Sequence, residues 1–432
     1  MDTASDAQGD FDVSGVRYNV LYVCSHPVQY TSPILRKLAQ HPNLKLKVAY
    51  CSLRGAEANH DPEFGIDVQW DVPLLDGYDW VEIPNHGSGN EGFFGLYNPG
   101  LWRLVTGGNF DAVVCLTGYI RASFWIVMAG SKLSGTATLF GTDASSLVPR
   151  DARNWKVPLK KIVWPWLFRL ADQVVVPSSA GVSMMRDLGL AEDRITLTPF
   201  AVDNQWWSDR AALVNRDTVR ASWGISPQDL VVLFCAKLQP WKRPLDLLRA
   251  FAKSQVAESI LLFAGEGPLR SQIESEAQQL GVASRVRFLG FVNQTQLPSV
   301  YSASDLFVLP SEYDPCPVVV CEAMLCGLPV ILSSEIRGRF DLVRSGLTGH
   351  IFRCGQVNEL AAALDKILGD RQHLEALSEN ARRRMVTWSP AEAVTAIENA
   401  ISRAVQRRRG NKTRPRLQVS GETVSSKDAK KL

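Results

Sequence analysis

Residues 229–237, DLVVLFCAK, are followed by KRPLDLLRAFAKS at 242–254 and SILLFAG at 259–265, and the strand–helix–strand rhythm they set decides the fold. The same rhythm continues through RVRFLGF (285–291), DLFVLP (305–310) and LPVILS (328–333), each separated from the next by a helical stretch. Short apolar strands alternating with helices predict a parallel sheet covered by helices on both faces. Working backwards, VRYNVLYVC (16–24), LKLKVAY (44–50), FDAVVCL (110–116), TATLF (136–140) and DQVVVPS (172–178) form an earlier series of the same kind. TPFAVDNQWWSDR (198–210) breaks the rhythm and reads as a connector.

The expected architecture is therefore α/β, with two doubly wound, Rossmann-like domains facing each other across a cleft. Ligands bind such folds at the carboxyl ends of the strands. The divisions expected are a disordered leader over 1–15, a first domain over 16–199, a linker over 200–212 and a second domain over 213–388. A helix over 389–408 follows, placed to pack back on the first domain, and a disordered basic tail occupies 409–432.

Composition narrows the classes. A chain of 432 residues is too long for one ordinary core. Hydrophobic content of 46% and charge of 21% describe a globular protein. The net charge of +3 carries no nucleic-acid signal, and much of it lies in the tail. The first fifteen residues lack the basic start and apolar centre of a signal peptide, and no apolar run approaches the ~20 residues of a membrane span. The Asp10–Phe11–Asp12 run lies in the leader and is not read as a metal site. The eight cysteines include no C-x-x-C and fall within strand and helix patterns, so core packing in a reducing cytosol is expected rather than disulfides or metal.

Three loops at strand ends carry chemistry. In AKLQPWKRP (236–244), Lys237 and Lys242 follow the second domain's first strand. They read either as two ammonium groups for a diphosphate or as solvated lysines at a helix start, where the dipole disfavours them slightly. In FAGEGPLR (263–270), Gly265 and Gly267 let backbone approach a ligand, or simply make a tight turn. The third is SEYDPCPVVVCEAMLCGLPVILSS (311–334). Pro317 suits a helix start, which leaves the N–H groups of Val318 and Val319 as free donors for phosphate oxygens. Glu322 follows within an apolar run, where a carboxylate without partners is costly. Accepting from two vicinal hydroxyls would account for it. Asp314 reads as an acceptor for other hydroxyls or as an acid complementing the helix dipole.

Taken in order, CAKLQPWKRPLDLLRAF, LLFAGEGP and LFVLPSEYDPCPVVVCEAMLCGLPVI resemble the donor-binding half of the family 4 retaining glycosyltransferases of the GT-B fold, also called group 1 glycosyltransferases. The resemblance covers most of residues 228 to 353, including SGLTGHIF at 345–352. It implies that Lys237 and Lys242 hold the donor diphosphate and that Glu322 binds the nucleotide ribose. Phe291 falls in the donor set, with Gly265, Gly267, Val318 and Val319. Asp314 takes the place of a family glutamate beside the transferred sugar. The residue is one methylene shorter, and Asp314–Pro317 replaces a glycine-containing turn.

The first half matches less closely, through CSHPVQYTSPILRKLA, DPEFGIDVQWDVPLLDGY and LFGTDASS. The first loop offers His26, Gln29 and Tyr30 to an acceptor, although His26 also reads as a structural loop histidine. Asp143 stands nearest to the family's acceptor-side histidine. The implied activity is transfer of a sugar from a nucleoside-diphosphate sugar to a lipid-linked, saccharide or small-molecule hydroxyl, in polysaccharide, glycolipid or other glycoconjugate synthesis. No cofactor, metal or nucleic acid is expected. Two alternatives stay open: a GT-B sugar-nucleotide 2-epimerase, and a non-catalytic sugar-nucleotide-binding partner of a transferase. WKVPLKKIVWPWLFRLAD (155–172) suits a helix lying on anionic lipid at the inner face of the membrane, or an ordinary helix packing its aromatics inward. A cytoplasmic location, with or without peripheral membrane contact, follows.

Overall fold

A computed structural model describes residues 17–61, 64–148, 155–256 and 258–413. The leader, the Asp10–Asp12 run and the tail from 414 lie outside the described residues. The first domain holds β1 (Tyr18–Cys24), β2 (Leu44–Tyr50), the short hairpin of β3 (Asn59–Asp61) and β4 (Ile66–Val68), β5 (Trp80–Glu82), β6 (Ala112–Cys115), β7 (Ala137–Gly141), β8 (Gln173–Val176) and β9 (Ile195–Leu197). Apart from the hairpin, these pair in parallel in the order β5-β2-β1-β6-β7-β8-β9. The second domain holds β10 (Leu230–Cys235), β11 (Ser259–Ala264), β12 (Val286–Gly290), β13 (Leu306–Leu309), β14 (Val330–Ser333) and β15 (Gly349–Phe352), parallel in the order β12-β11-β10-β13-β14-β15.

Helices cover both faces of the first sheet because successive strand side chains alternate between them. Along β1, Val20 and Tyr22 face one core while Leu21 and Val23 face the other, with Phe124, Phe140 and Phe168. The first of these cores is closed by the last helix, Pro390–Thr413, whose Val394, Ile397, Ile401 and Val405 pack beside Tyr18, Leu35 and Val48. Asn43 also donates to Glu398 on that helix at 2.7 Å. The final helix thus ties the end of the described chain to its beginning.

The stretch expected as a linker is partly a helix. Asp203 caps Asn204–Ala212 by accepting from the Trp206 N–H, and Trp207 is buried in the second domain's core against Tyr301. Burial of a large aromatic outweighs the weak local propensity of this polar stretch.

The helix Lys156–Arg169 serves two surroundings. Trp164 and Phe168 face inward, whereas Trp155 (68% exposed), Ile162 (68%) and Trp166 (71%) stay outside. The helix thus divides its aromatics between the core and the surface, two on each side. Among the described residues no helix is long and apolar enough to cross a membrane.

Each sheet reverses its strand order once, between β1 and β6 and between β10 and β13. Loops leaving the carboxyl ends of strands on either side of a reversal diverge and open a crevice. The two crevices face each other, and every loop singled out from the sequence emerges there.

Candidate active site

A small, mostly apolar pocket of about 100 Å³ lies chiefly on the second domain. Five of the expected donor residues line it together: Gly265, Phe291, Val318, Val319 and Glu322. Gly265 is required by backbone approach. It has φ +148°, and a Cβ there would lie 2.0 Å from the Ala236 carbonyl oxygen. Gly267, with φ +152°, meets the Leu238 backbone in the same way and supports the pocket floor without lining it. This close approach packs two βα loops together.

Glu322 sits at the pocket's back, 2% exposed, on the helix Val318–Leu325. Tyr301 donates its hydroxyl to Glu322 Oε2 at 3.0 Å, and Gln294 Nε2 approaches Oε1 at 3.5 Å. Burial pushes the carboxyl up to about 7, and these two hydrogen bonds oppose the shift without cancelling it. A buried carboxyl that lines a pocket is suited to neutral hydroxyl donors. No side chain caps the helix, which starts after Pro317, so its first N–H groups are available beside Glu322.

Lys237 lies beside this pocket, over the Phe64 ring at 4.6 Å, Lys242 follows it on the same loop, and each holds a carboxylate. Lys237 Nζ contacts both oxygens of Asp61, at 3.0 and 3.1 Å, and Asp61 belongs to the other domain. Lys242 pairs with Asp314. Both pairs are partly buried, which strengthens the attraction relative to open water. Asp314 is therefore held by a lysine rather than serving only the helix dipole, and its main chain is anchored where the Arg337 N–H donates to its carbonyl at 3.0 Å.

The first domain contributes a larger cavity of about 930 Å³, lined by His26, Tyr30, Asn85, Arg121, Asp143 and, across the cleft, Lys237. Asp143 follows β7 and opens onto the cavity. Burial among the cleft walls raises its carboxyl, and the nearby Asp314 carboxylate raises it further. Tyr30 stacks at a tilt on Phe200 with ring centroids 5.1 Å apart. Burial first, then the charges of Asp143 and Asp314, push its phenol up to about 12, so it remains a hydrogen-bond donor at neutral pH. Tyr30, Asp143 and Asp314 thus form one cluster where the two crevices meet. His26 has its basicity lowered by burial and by Arg54, and Ser25 lies 3.0 Å from its Nδ1. A neutral imidazole results.

Gln29 corrects the sequence reading. Expected on the acceptor side, it lines the small pocket with Glu322. The reason is a turn in which the Thr31 N–H donates to the Val28 carbonyl. Gln29 occupies its tip, and Val28 and Tyr30 face the large cavity. Other pocket residues escaped the reading: Phe64 and Trp70 from the first domain, and the Glu322 partners Gln294 and Tyr301. Polar and aromatic residues in a helix and its preceding loop give no local sign of which carboxylate they serve.

Residues 215–384 match the family model of glycosyl transferases group 1. An uncharacterised glycosyltransferase of Methanocaldococcus jannaschii is 33% identical over 165 residues, covering 38% of this chain and 42% of the relative. A D-inositol 3-phosphate glycosyltransferase of Rhodococcus opacus is 35% identical over 184 residues, covering 40% and 41%. The chain therefore spans only about two fifths of the length of these relatives. The Anabaena protein HepE, solved with UDP and glucose, superposes with a TM-score of 0.67 at 19% identity, over 89% of this chain and 100% of that one. That likeness extends across both domains and the cleft between them. The second domain is accordingly a group 1 glycosyltransferase domain, and the chain as a whole has the GT-B fold.

Proposed function

We propose that the protein is a retaining glycosyltransferase that moves a sugar from a nucleoside-diphosphate sugar to a hydroxyl acceptor. The observation that carries this reading is Glu322, buried in a mostly apolar pocket beside uncapped helical N–H groups, with the Lys237 ammonium over Phe64 of the same pocket. In this reading the ribose hydroxyls donate to Glu322, and the diphosphate lies between the helix start and the lysines. HepE was solved with UDP-glucose, which supports a donor of this class.

The acceptor hydroxyl enters from the large cavity, oriented by Tyr30 and Asp143. Its oxygen bonds to the anomeric carbon on the face from which the diphosphate departs. The anomeric carbon–oxygen bond to phosphate breaks, and the acceptor's proton passes to a phosphate oxygen. Negative charge gathers on the diphosphate as this happens. Fixed cations and helix N–H groups in a cleft stabilise it without reorganising. These groups belong to the chain itself, so the reaction as read needs no bound metal.

The exposed Trp155, Leu159, Ile162 and Trp166, with Lys161 among them, support peripheral contact with an anionic membrane at its cytoplasmic face and hence a lipid-linked acceptor. Flotation with phosphatidylglycerol vesicles tests this contact, and a Trp155→Ala/Trp166→Ala variant that floats as well as wild type would remove it.

The main test is a thermal-shift series across UDP-, GDP-, ADP- and dTDP-sugars. One donor at a hundred times its Kd should stabilise the fold by about 2.7 kcal/mol. Incubation with that donor alone should return the sugar unchanged or slowly hydrolysed. An epimerised sugar would assign the protein to the sugar-nucleotide epimerases, and binding with no transfer to any acceptor class would assign it a binding role.

A further inference from the structure

Asp61 and residues 64–71 of the first domain lie against the second. Asp71 accepts from the Thr295 N–H at 3.0 Å and from its hydroxyl, and Asn293 Nδ2 donates to the Gln69 carbonyl at 2.7 Å. Between these anchors and Asp61, Phe64 packs edge-on against Phe291 at 5.1 Å and Trp70 tilts against it at 6.2 Å. Both rings line the pocket that ends in Glu322. The Lys237 ammonium lies 4.6 Å over Phe64 while held by Asp61. One short segment therefore reaches both the apolar and the cationic parts of the pocket.

We propose that this segment is a specificity element of the donor site, in which Phe64 and Trp70 form with Phe291 the aromatic walls for the nucleobase and Asp61 holds the ammonium that the diphosphate takes over. The inference rests on the donor-site reading above. Edge-on and tilted rings around an apolar gap suit a flat heterocycle, which gains ring contacts beyond simple burial. At about 100 Å³ the gap is smaller than the roughly 300 Å³ at the lower end of ligand pockets, so Phe64 and Trp70 move apart when a base enters. Asp61 presents a carboxylate where a phosphate oxygen would sit, so it competes with the ligand for Lys237. Its Oδ1 also accepts from the Phe64 N–H at 3.0 Å, which couples release of the cation to the position of the ring.

Calorimetry with UDP, GDP, ADP and dTDP on wild type selects the tightest nucleotide. That nucleotide and inorganic pyrophosphate are then titrated into Phe64→Ala, Trp70→Ala, Trp70→Phe and Asp61→Asn. The expected result is nucleotide affinity about tenfold weaker in both alanine variants, partly restored in Trp70→Phe, with pyrophosphate affinity unchanged. Asp61→Asn keeps an acceptor for the Phe64 N–H but removes the competing charge, and it should bind both ligands about threefold or more tightly. Folded alanine variants with wild-type nucleotide affinity, or an Asp61→Asn that binds no better, would overturn the proposal while leaving the donor-site reading intact. A wild type that binds none of the four nucleotides would overturn both.

Discussion

The two halves of the cleft are built on opposite principles. The pocket around Glu322 is about 100 Å³, mostly apolar and walled by aromatic rings, with one buried carboxyl at its end. The cavity around Asp143 is about 930 Å³ and lined by loops bearing His26, Asn85, Arg121 and Asp143. A small apolar pocket reads a ligand by a few strong, weakly screened contacts, so each of its polar groups carries large weight. A wide polar cavity shares its contacts with water, so single groups weigh less and the range of acceptable ligands is wider. The cations Lys237 and Lys242 stand where the two meet.

The largest expected effect on turnover lies at that junction. Lys237→Ala and Lys242→Ala should each lower kcat by about 10²–10³, with nucleoside binding affected far less. Charge on the diphosphate grows only as the glycosidic bond breaks. Steady-state kinetics beside calorimetry check this, and turnover equal to wild type in both variants would remove the lysines from the mechanism.

Next comes Glu322→Ala, which removes the acceptor for two ribose hydroxyls. Each such charge-assisted bond is worth roughly 1.5–3 kcal/mol, so nucleoside diphosphate binding should fall below easy detection. The fold should survive, because the change relieves a buried carboxyl. Unchanged affinity in a folded variant would mean that the small pocket is not the nucleoside site.

In the large cavity a single substitution should do less. Asp143→Asn retains shape and most hydrogen bonding, so transfer should slow by about tenfold through a raised acceptor KM, with nucleotide affinity unaltered. A loss as large as that for the lysines would show that the acceptor side also acts through unscreened charge.

The smallest effect is one of pH. With its carboxyl near 7, Glu322 is partly protonated at neutrality, whereas hydroxyl donors favour the carboxylate. Nucleotide affinity should therefore rise by up to about tenfold between pH 6 and 8, with proton release visible in buffers of different ionisation enthalpy. Stability moves the other way. Between the unfolded value of about 4.5 and the folded value of about 7, the native state holds a proton that the unfolded chain has lost. This group's contribution to stability accordingly declines as pH rises through that window. Glu322→Gln should flatten both profiles.

What was legible in the sequence follows from how locally each feature is encoded. The parallel strands could be read because each is a short apolar run between turn residues, buried by helices on both faces. Gly265, Phe291, Val318, Val319 and Glu322 could be read as one site because they follow strand ends of a single sheet, and a doubly wound sheet brings such ends together. Trp207 could not be assigned to the second domain, because the polar residues around it say connector and only the core it fills says otherwise.

By itself, then, the sequence determined two α/β domains with facing crevices and brought Gly265, Phe291, Val318, Val319 and Glu322 to one pocket. Only the tertiary structure decided which first-domain residues reach that pocket. Phe64 and Trp70 meet Phe291 across more than 200 residues of chain, and Asp61 meets Lys237 across 176. Gln29 turns away from Tyr30 because of one backbone hydrogen bond. Contacts between domains depend on how two finished surfaces meet, and neither surface carries a repeating pattern that records the other. The carboxyl end of the small pocket is written within one sheet, and its aromatic wall is written in the packing of two domains.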